Sequence, residues 1–173
     1  YGYNLRMTPL QILTFYNAVA NEGIMVKPRF VDRIISDNRL IHEYGVEVLN
    51  PKIMSQNSLA QLRNILKNIV NRGTGKALYS PYFSIAGKTG TARTEYWMED
   101  WDEDRRYISS FAGYFPADDP KYSCIVVINN PKNKQIYGGK VAAPIFKELA
   151  DKVFAMDMHL HSSIASSNFN KDL

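Results

Sequence analysis

The chain has 173 residues, enough for one domain with a real core. Apolar residues make up 45% and charged residues 22%, an ordinary globular balance that argues against a disordered chain. The net charge of +4 is mild, and no Lys/Arg run is long enough to argue for nucleic acid.

Thr8-Pro9-Leu10-Gln11 predicts a helix start. Thr8 can cap, Pro9 suits the first helical position and Gln11 completes a capping box. Ile12, Leu13, Tyr16, Val19 and Ala20 follow at helical spacing, and Gly23 suits the left-handed position that ends such a helix. Val26 to Ile35 reads as extended, with Pro28 interrupting it. Ser36-Asp37-Asn38-Arg39 reads as a turn and Leu40 to Tyr44 as a return strand, together a small hairpin. Ser55 caps a second helix whose apolar face is Leu59, Leu62, Leu66, Ile69 and Val70, and Arg72-Gly73-Thr74-Gly75 closes it.

Three strands are predicted next: Phe83 to Ala92, Tyr107 to Phe115 and Tyr122 to Asn129. The turn Ala117-Asp118-Asp119-Pro120 is tight, so the last two should be antiparallel. The connection from Arg93 to Arg106 is acidic and carries Trp97 and Trp101. Tyr137-Gly138-Gly139 leads into a final helix, with Val141, Ile145, Phe146, Leu149, Val153 and Phe154 expected to face the core and Pro144 expected in its first turn. The expected domain spans residues 1–157, followed by a flexible Ser/Asn-rich tail over 158–173. The fold class is α+β, helices packed on an antiparallel sheet.

No apolar segment is as long as a membrane span, and no signal peptide opens the chain. Tyr1 is not a start methionine, so the simplest expectation is a piece of a longer protein. Cys124 has no partner for an internal disulfide and reads as a small buried hydrophobe.

The chemistry-bearing stretch is Ala86-Gly87-Lys88-Thr89-Gly90-Thr91-Ala92, a strand ending in Lys-Thr-Gly. That triplet accompanies a Ser-x-x-Lys and a Ser-x-Asn in serine enzymes of the penicillin-binding and β-lactamase kind. No Ser-x-x-Lys occurs in this chain. Taken alone, Lys88 also reads as an exposed strand-end lysine, Thr89 and Thr91 as good strand residues, and Gly90 as a bulge. Ser36-Asp37-Asn38 spells the second motif, yet its polar turn setting makes it a decoy. Gly87-Lys88-Thr89 is not a phosphate loop, because Tyr82 stands where the first glycine is needed. Gly75-Lys76 fails similarly at Ala77. His159 and His161 lack a third ligand nearby, and His42 has no evident partner.

Four blocks in order resemble the C-terminal part of the transpeptidase domain of class B penicillin-binding proteins, and more narrowly the septal, cell-division type. They are Gly2-Tyr3 with Met7-Thr8-Pro9-Leu10-Gln11 and Ala20-Asn21-Glu22-Gly23; Arg72-Gly73-Thr74-Gly75-Lys76-Ala77; the Lys-Thr-Gly stretch; and Ser110-Phe111-Ala112-Gly113-Tyr114-Phe115-Pro116 with Asp119-Pro120-Lys121-Tyr122, Tyr137-Gly138-Gly139 and Val141-Ala142-Ala143-Pro144. The septal assignment rests on Ser110 to Tyr114, Asn129-Asn130-Pro131 and Tyr137-Gly138-Gly139.

The resemblance implies a partial β-lactamase/transpeptidase-like fold and a peptidoglycan D,D-transpeptidase whose nucleophilic serine, its lysine and the Ser-x-Asn lie ahead of this chain. It implies Lys88 and Thr91 as catalytic groups, and Lys88, Thr89, Gly90 and Thr91 as substrate-binding groups for a stem-peptide or β-lactam carboxylate. Gly90 would keep the strand open to an added peptide strand. No metal or organic cofactor is implied. The implied partners are peptidoglycan stem peptides, β-lactams and the preceding part of the same chain, with no nucleic acid. The implied place is the periplasmic side of the inner membrane, anchored outside this chain. An uncovered sheet edge would permit self-association. The loop from Thr94 to Arg106 reads equally as a substrate-contacting rim or a solvated connector. Two other classes remain at this stage: a non-catalytic wall-peptide-binding module and a serine β-lactamase fragment.

Overall fold

A computed structural model describes residues 5–94, 106–132 and 135–169. The first helix, α1 (Pro9–Ala20), opens as its sequence dictates. The Thr8 hydroxyl accepts from the Gln11 N–H at 3.2 Å, and the Gln11 side chain accepts from the Thr8 N–H at 2.8 Å. Gly23 ends the turn at φ 83° and donates to the Ala18 carbonyl. Strand β1 (Met25–Val26) follows, then the hairpin β2 (Arg33–Ser36) and β3 (Arg39–Glu43), then β4 (Val48–Asn50), which pairs antiparallel with β1. The β1–β4 pair lacks a legible signal, since two- and three-residue strands are too short to show alternation.

Helix α2 (Gln56–Arg72) is capped by Ser55, whose hydroxyl accepts from the Ser58 N–H. It buries Leu59, Leu66 and Val70. The main sheet is β5 (Ala86–Arg93), β6 (Tyr107–Phe115) and β7 (Tyr122–Asn129), antiparallel in the order β5-β6-β7. The predicted limits of β6 and β7 agree. Strand β5 starts three residues later than read, because Phe83 and Ile85 pack into the core from a non-strand approach.

Helix α3 (Gly138–Phe169) covers one face of the sheet. Ala142, Ala143, Phe146 and Ala150 are buried against Phe111, Phe115 and Val126, and the Phe111 and Phe146 rings meet edge-on at 4.7 Å. Full burial of a side chain such as Phe146 contributes about 1.5–3 kcal/mol. Helices α1 and α2 cover the opposite face, where Val19, Leu59 and Leu66 pack on Ala86 and Tyr114. Arg63 of α2 ties these two helices together. Its guanidinium donates to the carbonyls of Val19 and Ala20 and pairs with Glu22, so it satisfies the end of α1.

Helix α3 corrects two expectations. Pro144 lies inside the helix rather than in its first turn, because the helix starts at Gly138. Ile145 and Leu149 do not face the core; they are 40% and 45% exposed. The small side chains of Ala142, Ala143 and Ala150 define the contact stripe instead, and Ile145 and Leu149 fall outside it. The backbone helix continues to Phe169, through the region read as the start of a tail.

Candidate functional site

Strand β5 carries the motif and is held at both ends. Ahead of it, the Ser84 hydroxyl donates to Asp118 at 2.6 Å and the Ala117 N–H donates to the Ser84 carbonyl at 2.8 Å. Asp118 also receives Lys67 Nζ at 2.5 Å, and the hydrogen bonds from Lys67 and then Ser84 lower its carboxyl pKa. Beyond it, the Thr94 N–H donates to the Arg106 carbonyl at 2.9 Å. The pairing with β6 runs unbroken from Ala86↔Tyr114 to Arg93↔Tyr107. Gly90 is therefore not a bulge. Gly87 is fixed by crowding: a Cβ there would stand 2.5 Å from the Ala112 carbonyl oxygen and from the Phe111 ring.

Among the described residues β5 pairs with β6 alone, so one edge is open. The Thr94–Arg106 bond sets the phase of the ladder. By antiparallel alternation Lys88, Gly90 and Ala92 direct their backbone groups to β6, and Thr89 and Thr91 direct theirs to the open edge. Side chains alternate across the sheet in the same phase. Lys88 and Gly90 lie on the face of Ala86 and Tyr114, and Thr89 and Thr91 on the face of α3.

The exposed Lys88 ammonium curls over the open edge. It donates to the Thr89 carbonyl at 2.7 Å and to the Thr89 hydroxyl at 3.2 Å. The Thr89 hydroxyl lies 3.0 Å from the Thr74 hydroxyl. The Thr91 hydroxyl accepts from the Gly138 N–H at 3.1 Å, which leaves its own proton to donate. A Cβ on Gly90 would point at the Ser110 hydroxyl, 2.4 Å away, rather than out along the open edge. Ser110 is its register partner on β6. The edge thus offers the Thr91 N–H, two threonine hydroxyls and an ammonium within four consecutive residues. That set suits an acceptor-only, negatively charged group in extended peptide.

In the sequence Thr74 reads only as part of the Arg72-Gly73-Thr74-Gly75 turn, and the structure brings it to the site. Its signal was a glycine on each side. The N–H groups of Gly73 and Gly75 both donate to the Ile69 carbonyl at 3.0 Å. The start of α3 closes over the same corner: a Cβ on Gly139 would lie 2.5 Å from the Thr74 carbonyl oxygen, and one on Gly138 would lie 2.4 Å from the carbonyl oxygens of Gly90 and Ser110. The Gly-Thr-Gly turn, the motif strand and the Tyr-Gly-Gly start of α3, far apart in sequence, meet at one place.

Ser36-Asp37-Asn38 is the exposed hairpin turn, with Asp37 and Asn38 at φ 49° and 58°. His42 stacks edge-on against Tyr44 at 4.4 Å. Cys124 is half-buried against the α3 core, and burial raises its thiol pKa. Trp97 and Trp101 lie outside the described residues, as do the side chains of His159 and His161. A cavity of about 660 Å³ lies against α1, lined by Met7, Leu10, Phe15 and Leu49 among others, and no residue of β5 lines it.

The family model described as the penicillin binding protein transpeptidase domain matches residues 1–151. The chain belongs to the penicillin-binding protein transpeptidase family. Among its relatives is the peptidoglycan D,D-transpeptidase FtsI of Buchnera aphidicola, 30% identical over 155 residues, a match covering 88% of this chain and 25% of that protein. Penicillin-binding protein PbpB of Mycolicibacterium smegmatis is 33% identical over 161 residues, covering 86% and 24%. Among solved structures, penicillin binding protein 3 from Mycobacterium tuberculosis superposes with a TM-score of 0.75 at 29% identity, covering 90% of this chain and 36% of that one. The transpeptidase domain of FtsI4 from Legionella pneumophila gives 0.61 at 31%, covering 86% and 47%. The chain spans about a quarter of the length of the curated relatives it matches. It is a partial transpeptidase domain of α+β fold. No helix among the described residues is long and apolar enough to cross a membrane.

Proposed function

We propose that this chain supplies the substrate-gripping wall of a peptidoglycan D,D-transpeptidase of the septal type. The observation that carries the reading is the edge of β5 left open among the described residues, along which the Thr91 N–H, the Thr89 and Thr91 hydroxyls and the Lys88 ammonium gather. A stem peptide ending in D-Ala-D-Ala would lie along that edge as an added antiparallel strand. Its terminal carboxylate would take the Thr89 and Thr91 hydroxyls and the charge of Lys88.

The serine elsewhere in the protein attacks the carbonyl carbon of the penultimate D-Ala. Its proton leaves to the active-site base, and the developing oxyanion takes the Thr91 N–H as one of two donors. Removal of one such donor costs about a hundred- to a thousand-fold in rate. The terminal D-Ala departs as an amine once protonated, leaving an ester. A neighbouring stem amine then attacks the ester, and the serine regains its proton. A β-lactam carries a carboxylate and a carbonyl in a comparable relation and acylates the same serine. Penicillin binding protein 3 from Mycobacterium tuberculosis, similar to this chain, has been solved complexed with ampicillin. The septal reading draws on Ser110-Phe111-Ala112-Gly113-Tyr114 and Tyr137-Gly138-Gly139, and on relatives named FtsI. It places the reaction on the periplasmic side of the inner membrane, with the anchor in another part of the protein.

Mass spectrometry of the complete protein after penicillin treatment tests the reading. One acyl adduct per protein is expected, on a serine outside residues 1–173, and Lys88→Ala should slow its formation at least tenfold. The chain alone should gain no adduct. A complete protein that stays unlabelled would leave a non-catalytic wall-peptide-binding module as the better description, and rapid release of hydrolysed penicillin would favour a β-lactamase. The edge of β7 left open among the described residues also suits pairing with the preceding part of the domain or with a second copy.

A further inference from the structure

We propose that Thr74 is a positioning residue for carboxylate recognition, acting by fixing the direction in which the Thr89 hydroxyl donates. The inference rests on the reading of β5 as the strand that grips an acid-ended peptide. A hydroxyl has one proton and two lone pairs. At Thr89 one lone pair is taken by the Lys88 ammonium, which can only donate, at 3.2 Å. The other close partner is the Thr74 hydroxyl at 3.0 Å.

Two arrangements of that pair exist. In one, Thr89 donates to Thr74 and has no proton for a ligand. In the other, Thr74 donates to Thr89, both Thr89 lone pairs are filled, and the Thr89 proton must point outward. A carboxylate accepts only, so its arrival selects the second arrangement. The chain then runs from Thr74 to Thr89 to the carboxylate. Each donor in such a chain polarises the next, and the last bond ends on an anion. Thr74 need not touch the ligand for this to work.

The Thr74 hydroxyl is not used by either neighbouring helix end. The cap of α2 is made by the Gly73 backbone, and the short 3₁₀ turn Lys76–Leu78 has no side-chain cap. Gly73 and Gly75 both bind the Ile69 carbonyl, and a Cβ at either would crowd it, at 2.9 and 3.2 Å. Gly139 seats directly on the Thr74 carbonyl. Crowding on three sides holds the hydroxyl at the motif strand.

The test uses the complete transpeptidase with four variants: Thr74→Val, Thr74→Ser, Thr89→Val and the double Thr74→Val/Thr89→Val. Second-order acylation rates are measured with a penicillin and with its methyl ester, beside thermal unfolding midpoints. The parent should prefer the acid over the ester. Thr74→Val should lower the acid rate about three- to tenfold, the loss of one hydrogen bond, and change the ester rate far less. Thr74→Ser should restore the parent values. In the Thr89→Val background the Thr74 change should add nothing. Thr74→Ala gives the same readout if valine disturbs the turn. An undiminished acid preference in Thr74→Val and Thr74→Ala overturns the inference alone, as does an equal loss on acid and ester or an undiminished effect without the Thr89 hydroxyl. A parent that does not prefer the acid overturns the strand reading and this inference with it.

Discussion

Gly138→Ala tests whether the start of α3 is seated on the motif strand. The added methyl carbon would lie 2.4 Å from two backbone oxygens, those of Gly90 and Ser110, and 3.2 Å from the Gly90 nitrogen. None of these atoms belongs to a flexible side chain. The two oxygens are carried by residues paired in the β5–β6 ladder, so they cannot retreat without breaking it. The helix start must lift instead, and the Gly138 N–H then loses the Thr91 hydroxyl at 3.1 Å. Overpacking of this kind costs about 1–3 kcal/mol. The lost hydrogen bond adds about 1 kcal/mol. Alanine at the first position of a helix returns less than the ~1 kcal/mol it is worth in a helix interior. The net loss is about 1–4 kcal/mol, and at roughly 2–4 °C per kcal/mol the unfolding midpoint should fall by about 2–16 °C. Differential scanning calorimetry of the complete domain reads this directly, with Gly45→Ala as a control because nothing lies within 4 Å of a Cβ there. Penicillin acylation should fall alongside, since Thr91 loses a neighbour that orients it. A Gly138→Ala midpoint no lower than that of Gly45→Ala would refute the seating.

Gly90→Ala should behave differently, because the obstacle is the end of a rotatable side chain: its cost in stability should be about 1 kcal/mol or less, and Gly90→Ala/Ser110→Ala should recover it in the same calorimetric assay. Tyr114 is fully buried, its hydroxyl has no hydrogen-bond partner among the described residues, and burial raises its pKa to about 12. Tyr114→Phe should therefore be neutral or stabilising by up to about 1 kcal/mol in urea unfolding, and a clear destabilisation would reveal an unseen partner. The pKa of Asp118 is lowered by Lys67 and Ser84, so its contribution to stability is present above the unfolded carboxyl value of about 3.9 and is lost as pH falls through the lower folded value. Asp118 is 69% exposed and solvent screens the pair, so the contribution is small. The stability gap between the parent and Asp118→Asn should narrow below about pH 4, and a gap that widens there would reverse the assigned sign.

Where local chemistry decides structure, the sequence was readable. Thr8, Pro9 and Gln11 announced α1 because a capping box is satisfied within one turn, and Asp37-Asn38 announced the hairpin because both residues tolerate positive φ. The limits of β6 and β7 were legible for the same reason, with a tight turn between two apolar runs. The errors lie where packing overrides pattern. Ile145 and Leu149 looked like core by periodicity, yet a stripe of alanines and Phe146 carries the helix contact. The candidate site was half legible. Lys88 to Thr91 stood out as a motif, but Thr74 is fifteen positions from Thr89 along the chain, and no local pattern links their hydroxyls. At Gly90 the close neighbour of an added Cβ is the Ser110 hydroxyl on β6, a crowding that no local pattern shows.

The β2–β3 hairpin leaves every residue of both strands exposed and closes through its own turn. Its tip at Asp37-Asn38 is therefore a ready attachment point. A dye or affinity tag fixed there would be held away from the three-stranded sheet, so this chain could be watched or captured without touching the strand that bears Lys88 to Thr91.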